Sequence, residues 1–255
     1  MTSHYRWPDM QIAADVLHRQ AMALKDPQLV DIVNLVYREH LARTGKPRLG
    51  DKTPRYFMIV PQLAALYPDA KFIHLIRDGR DVAISFIDLG FSHYYQKSFE
   101  WTRVMRNRAA LLDGPYASQI LEVKYEDLIK DPPAVLRRIC HFLDEEFEPA
   151  MLDWTPLLDL VPERERSIHP KLGQPITTDA IGVWRKRLSA VECFAMEACL
   201  WRDLLRLGYQ LRFSSPAWRP LLDMAAWLLH MGAPFMRRTV DGIWRRNLLP
   251  RRIYL

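Results

Sequence analysis

The sequence predicts an α/β domain in which a parallel sheet is flanked by helices, followed by a helical extension at the C-terminus. Three observations carry this expectation. With 255 residues and 49% hydrophobic side chains, the chain can bury one good core. Short apolar runs alternate with helix-period stretches from residue 9 to residue 213, the pattern of layered α/β folds. The run Phe72 to Ile76 leads directly into an acid-rich helix start, which makes a strand-to-helix junction. We divide the chain into an α/β domain over 1–213 and a basic amphipathic extension over 214–255.

The elements follow in order. Asp9 can cap a helix carrying Ile12, Val16 and Leu17, and Asp26 precedes Pro27 at the first position of a second, which should end near Gly45. Thr53-Pro54 repeats the cap-then-proline signal and opens a helix to about Leu66, stopped by Tyr67-Pro68. Residues 71 to 76 read as a buried strand, and Asp78 starts a helix through Val82, Ala83, Phe86 and Ile87. A helix over 98–112, a strand over 120–123 and a helix over 133–143 come next. Residues 153 to 182 show little periodicity and read as a long lid-like loop. Ser189 to Leu207 is a strong helix closed by Gly208, and 216–248 supplies two more.

The three cysteines, Cys140, Cys193 and Cys199, lie at apolar helical positions without metal-type spacing, so a reducing, cytoplasmic setting fits best and no zinc site is expected. No apolar stretch is long enough to span a bilayer. Nearly all of the +6 net charge sits in residues 236–255, where six arginines face one aspartate. Such a tail can meet an anionic membrane surface, an acidic glycan or nucleic acid. It carries no nucleic-acid recognition module, and the bland alternative is a helix docked through Met236, Val240, Ile243 and Trp244 with solvated arginines.

Two constellations can hold an anion. In Gly50-Asp51-Lys52-Thr53-Pro54 a lysine precedes an expected helix start, where unpaired amides favour negative charge, although Lys52 can equally be a solvated loop residue. In the second, Arg77 stands at the carboxyl end of the 71–76 strand, where open α/β sheets bind ligands, and Ser85 follows on the next helix. Arg77 can fork onto a phosphate and Ser85 can donate to it; the competing reading pairs Arg77 with the neighbouring aspartates.

Taken whole, "GDKTPRYFMIVPQLAALYPDAKFIHLIRDGRDVAISF" resembles the central block of the nucleotide-dependent sulfotransferase superfamily, especially its bacterial and tyrosylprotein-sulfotransferase-like branch. "LEVKYEDLIKDPPAVLRRICHFL", "IGVWRKRLS" and "LLRLGY" extend the likeness, which covers about residues 48–213. The resemblance implies a P-loop-NTPase-like parallel sheet and 3′-phosphoadenylyl sulfate as sulfuryl donor, with no metal. It places Arg77 and Ser85 on the 3′-phosphate, Lys52 near the bridging and leaving oxygens, and Tyr125 beside the nucleotide. Trp184 and one of Arg185, Lys186 or Arg187, here Arg185, would cover it, though Trp184 can equally be core. Acceptors with a hydroxyl on a glycan, a lipid or a tyrosine all fit.

One departure matters. The family opens with a strand and a glycine-containing loop that cradles the 5′-phosphosulfate, whereas the ten glycines here stand singly. Counted back from Lys52, that loop and the family's catalytic carboxylate would lie before Met1, so the expectation is a sulfotransferase whose given sequence is truncated at its N-terminus. The alternative is a non-catalytic nucleotide- or anion-binding relative. A kinase would need a glycine-rich loop ending in Lys-Ser/Thr, which is not found. Asp51 is the one local carboxylate considered as a substitute base, and His74 reads as a core histidine.

Overall fold

The computed structural model describes residues 12–53, 56–90, 94–153, 155, 158, 161 and 175–229. Its first two helices, α1 (Ala14–Ala23) and α2 (Leu29–Thr44), form a hairpin that buries Leu17, Leu35 and Val36 with Ile12. Asp9 lies outside the described residues. The second helix starts later than the Asp26-Pro27 signal suggests. Residues before proline avoid the right-handed helical region, and Asp26 takes φ 52°. The first turn forms where Asp31 reaches back to accept the Gln28 N–H at 2.9 Å. Gly45, at φ 64°, ends the helix by donating to the Leu41 carbonyl.

The expected single helix from Thr53 to Leu66 is divided. A 3-10 turn over Tyr56–Met58 is followed by a break at Ile59 (φ −130°) and then by α3 (Val60–Leu66). Pro61 is the reason. In one continuous helix it would be interior, lacking an N–H and clashing with the preceding turn, whereas near the start of α3 it is tolerated.

Two parallel strands, β1 (Phe72–Ile76) and β2 (Ile120–Lys124), pair from Phe72 opposite Ile120 to Ile76 opposite Lys124. The apolar run of β1 is buried on one face only. Ile76 joins the main core, while Ile73 and Leu75 remain 42% and 52% exposed. Period-two alternation puts these two on the same face of the strand. Between the strands come α4 (Gly79–Asp88) and α5 (Tyr94–Leu112), the latter starting four residues before the predicted 98. After β2 come α6 (Tyr125–Lys130) and α7 (Pro132–Leu143), then α8 (Trp184–Arg187) and α9 (Ala190–Arg206). Ser189 and Glu192 form the capping box of α9, and Gly208, at φ 75°, follows its end.

The main core packs Ala83 and Ile84 of α4, Trp101 and Met105 of α5, and Met196, Leu200 and Leu204 of α9 onto Ile76. Gly79 permits this approach: a Cβ there would stand 2.9 Å from the Trp101 ring. A 3-10 turn at Pro216–Trp218 leads into α10 over 219–229, docked by fully buried Leu222 and by Trp218 edge-on to Phe213 and Phe194. The remainder of the expected 216–248 helices lies outside the described residues. So does most of the expected 153–182 loop, whose end carries a 3-10 turn at Thr178–Ala180.

Opposite each other in the strand register, His74 and Glu122 form a polar pair inside the sheet. His74 stacks on Phe57 at 3.5 Å, the core placement expected of it, and Glu122 also accepts from Arg108 Nε at 2.7 Å. Burial pushes the Glu122 carboxyl up, but hydrogen bonds from His74 and Arg108 outweigh it and hold the group below its ordinary 4.5. A depressed carboxyl stabilises the fold above that ordinary value and loses the contribution as pH falls through the folded one. Glu122→Gln should therefore lower Tm at pH 7 by roughly 4 to 8 °C, for about 2 kcal/mol lost. Its Tm should also fall less than the wild type's between pH 5 and pH 3. A differential scanning series over that range measures both.

Candidate active site

The β1–β2 register decides what stands together at the carboxyl edge of the sheet. The residues after the last pair are Arg77 and Tyr125, and the Arg77 guanidinium lies 4.7 Å from the Tyr125 ring centroid. Its Nη2 donates to the Ala180 carbonyl at 2.6 Å, and the Arg77 carbonyl accepts from Trp101 Nε1 at 3.1 Å. Among the described residues, Arg77 Nε is buried without a hydrogen-bond partner. An unpaired guanidinium N–H at the carboxyl end of a parallel strand has the chemistry to hold an anion. The aspartates that follow Arg77 do not take it. Ser85 lies half-buried on α4, and among the described residues its hydroxyl has no partner.

The aspartates serve Arg80 and a distant loop. Asp78 caps α4 by accepting from Arg80 N at 2.9 Å, and holds the same residue's Nε at 3.0 Å and Nη2 at 2.7 Å. Arg80 is completely buried. Its Nη1 donates to Glu197 at 2.5 Å, Nη2 also reaches the Gln210 carbonyl, and its guanidinium lies 3.6 Å over the Trp184 ring. Burial alone would lower the Arg80 pKa, but Asp78 and Glu197 outweigh it and raise it. Asp81 accepts from Gly182 N at 2.7 Å and Trp184 N at 2.9 Å. Burial raises its carboxyl above the ordinary value and these two amides partly offset that. Glu126 accepts the Asp78 N–H and the Tyr209 hydroxyl, both at 2.9 Å, so the end of β2 is tied to the start of α4.

The sequence pattern of the Sulfotransferase family matches residues 3–149, more than half of the chain. The chain belongs to the sulfotransferase family. A putative protein-tyrosine sulfotransferase of Caenorhabditis elegans is 29% identical over 209 residues, spanning 76% of this chain and 78% of the relative. Its Caenorhabditis briggsae counterpart is 28% identical over 211 residues, spanning 76% and 72%. A sulfotransferase domain from a Synechococcus olefin synthase superposes with TM-score 0.56 at 25% identity, covering 81% of this chain and 80% of that one. The sulfotransferase domain of the curacin biosynthetic pathway gives TM-score 0.59 at 22% identity, covering 81% and 77%. The α/β fold with its parallel sheet and the sulfuryl-transfer chemistry follow from these likenesses.

The other residues singled out from the sequence are placed less centrally in this sulfotransferase. Lys52 is exposed on the connection after α2 and, among the described residues, unpaired. It does not precede a helix as expected, because the 3-10 turn and the break at Ile59 intervene. Asp51 Oδ2 accepts from the Tyr37 and Tyr56 hydroxyls at 2.9 and 2.7 Å. Burial, then Asp51, raises both phenols. That oxygen is thus taken up by two phenols. Trp184 is a core residue, 3% exposed, because its ring encloses the Arg80 cation; its indole is not a free platform over a ligand. Arg185 is exposed and stacks on the other side chain of the pair, 4.5 Å from the Trp184 ring. Among the described residues no His, Cys, Asp or Glu cluster has a metal-binding arrangement.

Arg80 and Glu197 form a buried ion pair that motif reading passed over. Two signals were present. An arginine in the first turn of a helix opposes the dipole and needs an acid. Glu197 falls in the same buried stripe of α9 as Cys193, Met196, Leu200 and Leu204, where an ionised group requires a partner.

Proposed function

We propose that this sulfotransferase binds 3′-phosphoadenylyl sulfate through its 3′-phosphate at Arg77, with Ser85 donating to the same group and Tyr125 lying beside the nucleotide, and that it transfers to a hydroxyl acceptor. The observation that carries the reading is the buried, partnerless Nε of Arg77 at the carboxyl end of β1. A phosphate there would accept a hydrogen bond from that N–H and compete for the Nη2 now held by Ala180, giving bidentate, charge-assisted bonds. Lys52 and Arg185 are the further cations available to the donor. Among hydroxyl acceptors on tyrosine, glycan or lipid, we favour tyrosine, because relatives aligned over most of their length are named protein-tyrosine sulfotransferases. No metal is invoked.

Transfer of label from sulfur-35-labelled donor to a tyrosine-containing acidic peptide, a glycan panel and a lipid panel tests this. Label on the peptide supports the reading, and label on none of them rejects it for this chain. The second reading, a non-catalytic nucleotide-binding protein, predicts saturable binding of adenosine 3′,5′-bisphosphate without transfer.

Two placements belong with this reading. Three free cysteines accord with a reducing cytoplasm; burial pushes the Cys199 thiol up to about 12, and burial and Glu197 do the same for Cys193. Contact with an anionic membrane surface through the arginines of 236–255 is supported by α10, in the 214–255 extension. Met224, Trp227 and Leu228 there are more than half exposed. No described helix is long and apolar enough to cross a membrane. Sedimentation with phosphatidylserine vesicles, weakened at 0.5 M salt and absent with phosphatidylcholine alone, is the expected result.

A further inference from the structure

Resting on the donor reading above, we infer that Asp81 is a positioning residue that fastens the 178–185 segment across the Arg77 site, so that nucleotide binding depends on a carboxylate that never touches the nucleotide. The segment is pinned at two points. Ala180 is held by Arg77 through its carbonyl, and Gly182 and Trp184 are held by the two oxygens of Asp81 through their amides. Asp81 is 1% exposed, and among the described residues its carboxylate accepts these two bonds. A buried carboxylate is costly unless it is fully hydrogen-bonded, so its presence implies that the geometry it enforces is needed.

That geometry is tight. Gly182 takes φ +69°, and a Cβ on it would lie 2.6 Å from Arg185 Nη1, so the turn brings the Arg185 guanidinium onto the backbone of the segment that Asp81 holds. Asp81 thus fixes, through one segment, the carbonyl that competes for Arg77 and the position of Arg185. Arg77 lies at the junction between β1 and α4 and Asp81 in the first turn of α4, so four residues of chain join the anion-binding arginine to the anchor of the segment.

In Asp81→Asn the carboxamide can keep one acceptor for Trp184 but turns an NH₂ toward the Gly182 N–H, which frees the segment at that point. The test is calorimetric binding of adenosine 3′,5′-bisphosphate at 15 °C to the wild type, Asp81→Asn and Glu192→Ala, with hydrogen exchange of the Gly182 and Trp184 amides. Glu192→Ala breaks the capping box at Ser189 and serves as a destabilised control outside the segment. We expect about 10-fold weaker binding by Asp81→Asn, because the freed segment no longer holds Arg185 where it can meet the nucleotide, and ordering it on binding costs affinity. We also expect faster exchange at both amides and unchanged binding by Glu192→Ala. Wild-type affinity in Asp81→Asn overturns the inference, as does equal weakening in Glu192→Ala, which would mark a general stability effect. If the wild type itself does not bind the nucleotide, the donor reading falls and this inference with it. Should Asp81→Asn fail to fold, exchange in the wild type decides. Nucleotide that slows exchange at Gly182 and Trp184 supports the inference, and nucleotide that leaves them unchanged overturns it.

Discussion

Arg80→Ala is expected to lower the melting temperature by about 6 to 20 °C. The side chain is fully buried, and its removal leaves Asp78 and Glu197 as ionised groups in the core without their cation. Breaking a buried pair by deleting one partner costs about 3 to 5 kcal/mol, and each kcal/mol moves Tm by roughly 2 to 4 °C in a domain of this size. The loss extends beyond charge, because the guanidinium also fills the space over the Trp184 ring and donates to the Gln210 carbonyl. Arg80→Lys should recover only part of it. A lysine keeps the charge but lacks the planar fork that meets Asp78, Glu197 and Gln210 at once. Thermal unfolding followed by circular dichroism measures both variants, and a shift below 3 °C for alanine would show that the core reorganises around the acids.

For function the largest expected effect is at Arg77. Arg77→Ala should weaken adenosine 3′,5′-bisphosphate binding by about 100- to 1,000-fold, roughly 2.7 to 4.1 kcal/mol, the size expected for a bidentate charged contact to phosphate. The fold should tolerate it, since the side chain contributes one bond to Ala180 and a ring contact to Tyr125. Arg77→Lys should fall between, having the charge without the fork. Titration calorimetry on folded variants reads this directly. Affinity within threefold of the wild type for Arg77→Ala would move the 3′-phosphate elsewhere on the sheet edge.

Local chemistry was legible wherever a residue's role depends on its near neighbours. The Asp78 cap, the Ser189 start of α9 and the Gly45 end of α2 depend on contacts within about four residues, and the strand at 72–76 showed as a short apolar run bounded by turn and charge. The misread elements are those in which two local signals compete. Thr53-Pro54 looks like a helix start as much as Pro61 does, but a helix begun at Thr53 would carry Pro61 in its interior; Pro27 likewise fixed the conformation of Asp26 rather than a first turn.

The site divides along the same line. The sequence by itself determined the family, the junction that presents Arg77, and the candidacy of Ser85 and Tyr125, because motif spacing records a strand ending in an arginine and a helix beginning on an aspartate. Only the tertiary structure decided that Tyr125 stands 4.7 Å from Arg77, since this follows from strand register between segments 48 residues apart. Only it decided that Trp184 belongs to the core, that Arg80 rather than Arg77 takes the local acids, and that Asp81 holds a loop 101 residues away. The physical reason is that a charge inside the core takes whatever partner packing brings to it, and neither Glu197 nor the Gly182 amide carries any mark in the chain of the residue it will meet.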